Sequence, residues 1–198
     1  MAQRLLLIAY AATAGTRDSV FSGWSDLIQA RGTTPLNPRE RQVVVGDLPV
    51  IEERVERWVC GPEPAGAATA AGLGGADVEV VAELRDCDFG WWSGLTLDDV
   101  GTLDPEALAL WLADPRARPH GGESLADLVV RVGRVADGSA WPEGRSVAVV
   151  PPLVARALAV HALSAPPEVI FRVDVAPLGR VLISRTTGGW RLQGLNRP

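Results

Sequence analysis

Tyr10 is the residue of this sequence best placed to do chemistry. It is the only tyrosine in the chain, and it stands where the apolar run Leu5–Ile8 breaks off, within the stretch Arg4–Arg17. The run predicts a buried strand, and in an open α/β sheet ligands lie beyond the carboxyl ends of such strands. A phenol there can donate a hydrogen bond to a ligand, but aromatic residues at strand ends serve in packing more often than they contact ligands.

The elements that would position Tyr10 alternate between strands and helices. Apolar runs predict strands at Leu5–Ile8, Arg57–Val59, Val78–Val81, Ser146–Val150, Phe171–Val175, Val181–Arg185 and Trp190–Leu195, the last two joined by a hairpin turn at Gly188–Gly189. Helical spacing predicts helices at Asp18–Gly32, Ala65–Leu73, Asp98–Val100, Pro105–Leu112, Leu125–Val135 and Pro152–Leu163. This alternation predicts an α/β fold with a mainly parallel sheet. The order of the proline-bearing stretch Thr33–Pro49 stays open, and Arg39–Val45 within it fits a weak helix or a strand.

Length and charge limit the kind of protein. The 198 residues, 47% of them hydrophobic, predict a single domain over residues 1–198. The net charge is −5, and all 19 basic residues are arginine, with no polybasic run among them. Nucleic acid and anionic membranes are therefore not expected as partners.

The two cysteines, Cys60 and Cys87, lack metal-ligand spacing, so both are predicted to be reduced thiols and no metal site is expected. The run Leu5–Ile8 is far shorter than a signal-peptide core or a membrane span. These features predict a soluble, cytoplasmic protein.

Several segments taken together carry a resemblance. They read L-L-I-A-Y-A-A-T at Leu6–Thr13, G-P-E-P-A-G-A-A-T-A at Gly61–Ala70, L-R-D-C-D-F-G-W-W-S-G-L-T at Leu84–Thr96, P-H-G-G-E-S-L at Pro119–Leu125 and V-A-V-V-P-P-L-V-A-R-A-L at Val147–Leu158. In this order and spacing the chain resembles the histidine phosphatase superfamily, in its phosphoglycerate-mutase-like branch, over nearly the whole length. The resemblance implies a three-layer α/β/α sandwich and implies no cofactor.

The resemblance also implies where catalysis would take place. Active members of that family dephosphorylate through a phosphohistidine, with two arginines and two histidines around one phosphate. Those four positions fall on Ala9, Tyr10, Ala65 and Pro151, so none of the four catalytic side chains is present. A charge-assisted hydrogen bond contributes about 1.5–3 kcal/mol, and losing four removes roughly 6–12 kcal/mol of phosphate binding, which is enough to abolish ordinary turnover.

Tyr10 is a poor substitute for the nucleophilic histidine. A phenol with a pKa near ~10 is about one part in a thousand ionised at neutral pH, so it needs a neighbouring base or cation. The positions that would supply cations hold Ala9 and Ala65. Pro151 and Pro152 have no N–H to offer an oxyanion, yet both suit the start of a helix.

Four polar residues remain where the resemblance places the pocket. Asp86 stands at the position of the family's general acid, and a loop cap is the alternative. His120 is either near the site or a solvated loop residue. Glu123 and Ser124 either contact a ligand or begin the following helix as capping residues.

Other side chains have open assignments. Arg17 is predicted to approach the pocket, and Arg156 either does so or pairs with a carboxylate or the backbone. His161 is interpreted as a core or helix-face residue. In the pair Trp91–Trp92, one ring is predicted to be packed and the other to border the pocket.

Three hypotheses follow. The first is a pseudoenzyme that binds or regulates, with a small molecule or a protein as partner and a homodimer as an option. The second is an enzyme with a non-phosphoryl reaction on a neutral or aromatic substrate, using Tyr10, Asp86 and His120 as acid, base or hydrogen-bond donor. The third is a weak phosphomonoesterase.

Overall fold

A six-stranded mixed sheet forms the centre of the protein. The computed structural model describes residues 2–13, 19–21, 51, 54–138 and 141–196. The strands lie in the order β3-β2-β4-β1-β5-β6. They are β1 (Gln3–Ala9), β2 (Arg57–Cys60), β3 (Glu79–Val80), β4 (Gly144–Val150), β5 (Arg180–Thr186) and β6 (Gly189–Asn196).

The direction of the strands fixes where ligands can lie. β3, β2, β4 and β1 run parallel, with Ala9 opposite Val150 in the register of β1 and β4. β5 is antiparallel to β1, and β6 is antiparallel to β5. Since parallel strands end at the same edge, the residues after β1, β2 and β4 meet there. The predicted α/β fold is confirmed.

Helices cover both faces of this sheet. In the described part of the chain they are α1 (Pro64–Gly72), α2 (Leu97–Leu103), α3 (Pro105–Ala113), α4 (Leu125–Gly138) and α5 (Pro152–Ala162), with three short 3-10 helices at Ala82–Leu84, Gly90–Trp92 and Pro167–Arg172. Alternate residues of β1 face opposite sides. Leu5, Leu7 and Ala9 pack in the core formed with α4 and α5, whereas Leu6, Ile8 and Tyr10 pack in the core formed with α1. The arrangement is a three-layer α/β/α sandwich.

Capping residues determine where the helices α2 and α3 begin. The Asp104 carboxylate accepts a hydrogen bond from the Ala107 N–H, and Pro105 occupies the first turn of α3, as predicted. Thr96 and Asp99 form a capping box at the start of α2. The chain therefore turns sharply between α2 and α3, which brings α3 alongside the loop that precedes α2.

The predicted strand at Phe171–Val175 is wrong. This segment ends the 3-10 helix Pro167–Arg172 and then continues without strand pairing. Pro167 has no N–H and a fixed φ, which suit a first helical turn. The apolar side chains have separate roles: Ile170 and Val175 are buried in the core, while Phe171 is partly exposed and packs against Trp111.

Two further differences concern boundaries. The β5–β6 hairpin turns at Thr187 and Gly188, one residue earlier than predicted, and Gly189 is the first residue of β6 with a φ of +107°. A positive φ suits glycine, which explains its position there. The helix predicted at Asp18–Gly32 is wrong at residues 19–21, because Val20 forms an antiparallel β-bridge with Thr96 and Ser19 has a φ of +53°. The rest of that prediction and the stretch Thr33–Pro49 with Arg39–Val45 lie outside the described residues.

Candidate functional site

The four positions singled out by the resemblance meet at the carboxyl edge of the sheet. Tyr10 follows β1, and its N–H donates to the Val150 carbonyl at 2.9 Å, which places it beside Pro151 at the end of β4. Ala65 lies in the first turn of α1, just after β2, and shares the buried cluster of Tyr10. Ala9 is fully buried on the opposite face of β1. The parallel strands thus place these four side chains at one edge.

A pocket of about 450 Å³ opens at this edge. Its lining joins the end of β1, the loop before α2, the helices α2 and α3, the start of α5 and the loop before β5. The lining residues are Tyr10, Ser19, Val20, Phe21, Asp86, Phe89, Leu97, Trp111, Leu112, Pro152, Leu153, Arg156, Phe171, Val175, Ala176 and Pro177. Most of these side chains are apolar, and a pocket of this volume suits a drug-sized ligand.

Aromatic side chains that the sequence analysis did not assign to the site form part of this pocket. Trp111 contacts Phe21, Phe89 and Phe171, with ring centroids 5.7, 6.1 and 5.2 Å from its own. These residues come from four separate segments of the chain. Helical periodicity identifies Trp111 as an apolar residue of α3, but only the tertiary fold brings the four rings together.

Two of the predicted polar residues line the pocket. Asp86 does so while its Oδ1 accepts a hydrogen bond from the Cys87 N–H at 2.9 Å, which is the loop-capping contact considered for it. Arg156 lines the pocket and pairs with a carboxylate, Nη2 lying 3.4 Å from Asp174 Oδ1. Arg17 lies outside the described residues.

His120 lies behind the pocket instead of in its lining. The side chain is buried, only 1% exposed, and its ring packs edge-on against Phe89 and Trp92. Nδ1 accepts the Gly122 N–H at 3.0 Å, so the neutral ring carries its proton on Nε2, which is buried and has no hydrogen-bond partner in the described part of the chain. Burial lowers the pKa of His120, with Asp88 opposing the shift. The surface interpretation of this histidine is therefore corrected.

The loops around His120 approach each other closely at two glycines. A Cβ on Gly90, whose φ is +50°, would collide with the His120 carbonyl, and one on Gly122 would collide with the Asp88 carbonyl. The Trp91 N–H donates to the His120 carbonyl at 3.1 Å, and the Glu123 N–H donates to the Asp88 carbonyl at 2.7 Å. This backbone contact requires glycine at both positions.

Glu123 and Ser124 have structural contacts. Ser124 Oγ hydrogen-bonds the Asp127 carboxylate and accepts the Asp127 N–H, which is the capping role considered for it at the start of α4. Glu123 pairs with Arg131 of α4 at 2.7 Å, and both side chains are largely buried, at 11% and 13% exposed. Neither Glu123 nor Ser124 is in the described lining of the pocket.

Arg131 fastens the Asp86 loop to α4. Its guanidinium donates to the Glu123 carboxylate from both Nε and Nη2. It also donates to the carbonyls of Glu83, Arg85 and Asp86. One side chain therefore holds the backbone that carries Asp86 into the pocket lining.

Glu63, which the sequence analysis left unassigned, holds the other side of the same loop. Its Oε1 accepts the Asp86 N–H at 2.8 Å, and Oε2 is buried with no hydrogen-bond partner in the described chain. Burial raises the pKa of Glu63 to about 7, with a smaller upward contribution from the Asp86 carboxylate and opposing ones from the hydrogen bonds and Arg131. The motif G-P-E-P gave no sign of this, because the shift depends on burial by distant segments.

The remaining assignments concern packing. His161 lies on the face of α5 that meets Gly133 of α4, with Nε2 3.2 Å from Asp137 Oδ2. Trp92 is fully buried, as predicted for one ring of its pair. Trp91 is half exposed and donates to the Pro119 carbonyl, and it is not among the described residues that line the pocket.

Both cysteines are free thiols in the interior. Cys60 lies in the core at the end of β2, and Cys87 donates through Sγ to the Glu123 carbonyl at 3.4 Å. Burial raises the pKa of each thiol. No group of three or more His, Cys, Asp or Glu side chains with metal-binding geometry occurs among the described residues. None of the helices described is both long and apolar enough to cross a bilayer.

The chain belongs to the histidine phosphatase superfamily, branch 1, whose family model matches residues 17–198. Among solved structures, it is similar to the native mycobacterial glucosyl-3-phosphoglycerate phosphatase Rv2419c, with a TM-score of 0.82, 23% identity and full coverage of both chains. That likeness shows the fold.

Curated relatives match over shorter stretches. The bifunctional protein Rv2228c of Mycobacterium tuberculosis is 44% identical over 71 residues, which is 36% of this chain and 20% of the relative. The match thus spans about one fifth of that relative's length. Glucosyl-3-phosphoglycerate phosphatase of Mycolicibacterium vanbaalenii is 29% identical over 133 residues, covering 65% of this chain and 56% of the relative.

Replacing Arg131 tests its role in holding the Asp86 loop. We expect Arg131→Met to lower the free energy of unfolding by about 3–5 kcal/mol, because it leaves the buried Glu123 carboxylate without its partner. Urea unfolding measures this loss. Arg118→Met removes the exposed pair with Asp127 and is the matched control, expected to cost about 0–1 kcal/mol. Equal losses in the two variants would contradict the role of Arg131.

The raised pKa of Glu63 predicts that the stability of the folded protein depends on pH. Because its pKa in the folded protein is about 7, above the ordinary value of 4.5, its contribution to stability is fully present below pH 4.5 and lost as the pH rises through 7. Gln at position 63 keeps the acceptor for the Asp86 N–H but cannot ionise. We expect wild type to lose up to roughly 3 kcal/mol relative to Glu63→Gln between about pH 4.5 and pH 8, measured by urea unfolding.

The exposed Glu83, in the same loop, provides the control for Glu63. Glu83→Gln replaces a carboxylate that is open to solvent, so it controls for the loss of one acidic side chain from this loop. A Glu63→Gln profile that runs parallel to wild type would refute the burial effect.

Proposed function

We propose that this protein is a binding or regulatory pseudoenzyme of the histidine phosphatase superfamily, without phosphohistidine-based phosphatase or mutase activity. One observation carries the proposal. The positions that correspond by resemblance to two arginines and two histidines hold Ala9, Tyr10, Ala65 and Pro151, and these residues lie together at the carboxyl edge of the sheet. A phosphate at this edge would lack all four of the charged or nucleophilic side chains.

Further observations support the loss. Pro151 and Pro152 have no N–H groups, so the start of α5 offers no donor at these two positions. The family model matches from residue 17 onward, so Ala9 and Tyr10 precede the matched range. Each 1.4 kcal/mol of lost transition-state stabilisation lowers a rate about tenfold, so losing several donors removes turnover while the packing of the fold persists.

A repurposed enzyme is the alternative favoured by the pocket itself. Tyr10 and Asp86 both line it, which brings a phenol and a carboxylate to one cavity. His120, the third predicted participant, is packed behind Phe89, so a reaction would have to proceed without it. A weak phosphomonoesterase is the second alternative, since relatives are named glucosyl-3-phosphoglycerate phosphatases. Cytoplasmic location and independence of cofactors belong to the same proposal.

Phosphatase assays on the purified protein test the proposal. With p-nitrophenyl phosphate and a panel of sugar and nucleotide phosphates, we expect wild type, Tyr10→Phe and Asp86→Ala to give the same background rate. We also expect no phosphate on the protein after rapid quenching. Clear turnover that Asp86→Ala abolishes would contradict the pseudoenzyme proposal, and an acid-stable phosphotyrosine lost in Tyr10→Phe would reveal a different nucleophile.

A further inference from the structure

The shape of the pocket limits its ligand to certain groups. The rings of Phe21, Phe89 and Phe171 are inclined at 85°, 68° and 63° to Trp111, so aromatic planes meet at steep angles along its wall. Crossed rings of this kind make edge-to-face contacts with one another, which is the geometry that aromatic pairs prefer. Trp111, Phe21 and Phe89 are nearly buried and form the base of the wall, whereas Phe171, Leu97 and Leu112 are 38%, 39% and 50% exposed and supply its accessible apolar surface.

The charge of the lining limits the ligand further. Asp86 and Arg156 are the charged side chains in the described lining, one of each sign. Arg156 already faces the Asp174 carboxylate at 3.4 Å. A phosphate monoester carries a charge of about −1.5 to −2 near neutral pH, and among the described lining residues it would meet one cation, already paired with a carboxylate, and the acidic Asp86. A ligand without net charge is not repelled by the Asp86 carboxylate. It also does not have to give up the hydration of a charged group on entering an apolar pocket.

We propose that this pocket binds an uncharged aromatic small molecule that carries a hydroxyl or carbonyl group. The inference rests on the proposed function, because it assigns a ligand class to the same site. The aromatic body contacts the accessible apolar side chains of the wall, Phe171, Leu97 and Leu112, and its hydroxyl or carbonyl group lies against the polar side chains of the lining. The volume of about 450 Å³ accommodates a two-ring or three-ring molecule.

The mouth of the pocket provides a matched pair of positions for testing. Leu110 and Leu112 both lie on α3, and each side chain is 50% exposed. Leu112 lines the pocket, whereas Leu110 is not part of the lining. A carboxylate introduced at either position is open to solvent, so both variants are expected to fold. Only the one at Leu112 removes an apolar contact from the ligand.

Calorimetry with two probes that share one ring system tests the ligand class. The probes are 1-naphthol, which is uncharged, and 1-naphthyl phosphate, which is a dianion on the same body. We expect 1-naphthol to bind at a single site at least tenfold more tightly than 1-naphthyl phosphate. Leu112→Asp should weaken 1-naphthol binding at least fivefold, and Leu110→Asp should leave it unchanged.

The outcomes separate this inference from the proposed function. Equal or tighter binding of 1-naphthyl phosphate, or no saturable binding of 1-naphthol, would overturn the ligand class. Equal effects of Leu110→Asp and Leu112→Asp would overturn the assignment to this pocket. Release of naphthol from 1-naphthyl phosphate, followed by fluorescence, bears on the pseudoenzyme proposal alone. Circular dichroism checks that both variants are folded.

Discussion

The hydrogen bonds of the Arg131 guanidinium are the constraint on which the site depends. Five donations from one side chain reach the Glu123 carboxylate and the carbonyls of Glu83, Arg85 and Asp86. A buried guanidinium is costly unless its donors are used, and here the planar group meets acceptors from two loops at once. The loop that carries Asp86 is consequently fixed to α4. Glu63 fixes the same loop from the α1 side by accepting the Asp86 N–H.

The contacts that hold these loops together do not depend on binding or hydrolysing a phosphate. Arg131, Glu123 and the glycine contacts at Gly90 and Gly122 hold backbone against backbone, and none of them needs a ligand. The residues at the carboxyl edge of the sheet also suit the fold: Pro152 begins α5, while Ala65 is buried in the first turn of α1. The architecture can therefore persist when the side chains facing the pocket change. Membership of the superfamily and loss of its chemistry are compatible for this reason.

Much of the fold is predictable because hydrophobic periodicity and residue composition determine strands and helices locally. The apolar runs ending at Ile8 and Val150 identify the central strands, and Asp104 followed by Pro105 marks the start of a helix. The strand predicted at Phe171–Val175 was wrong because the apolar residues of this segment make separate contacts and form no strand pairing. A run of apolar letters does not specify which neighbour each side chain will meet.

The site was predictable only in part, for a related reason. Tyr10 and Asp86 could be placed at the pocket because each follows from a position in a motif. The burial of His120, the raised pKa of Glu63 and the aromatic wall around Trp111 depend on contacts between segments distant in sequence.

The character of the pocket follows from the balance of charge and aromatic surface. Arg156, which is paired with Asp174, and Asp86 are the charged side chains of the described lining, so these lining residues carry no surplus of positive charge. A phosphate site requires the opposite, a surplus of donors and cations around one oxygen-rich group. The accessible apolar side chains of the lining, Phe171, Leu97 and Leu112, instead make contacts that need no charge on the ligand. Tyr10 adds a further, mostly buried ring to the lining where β1 ends.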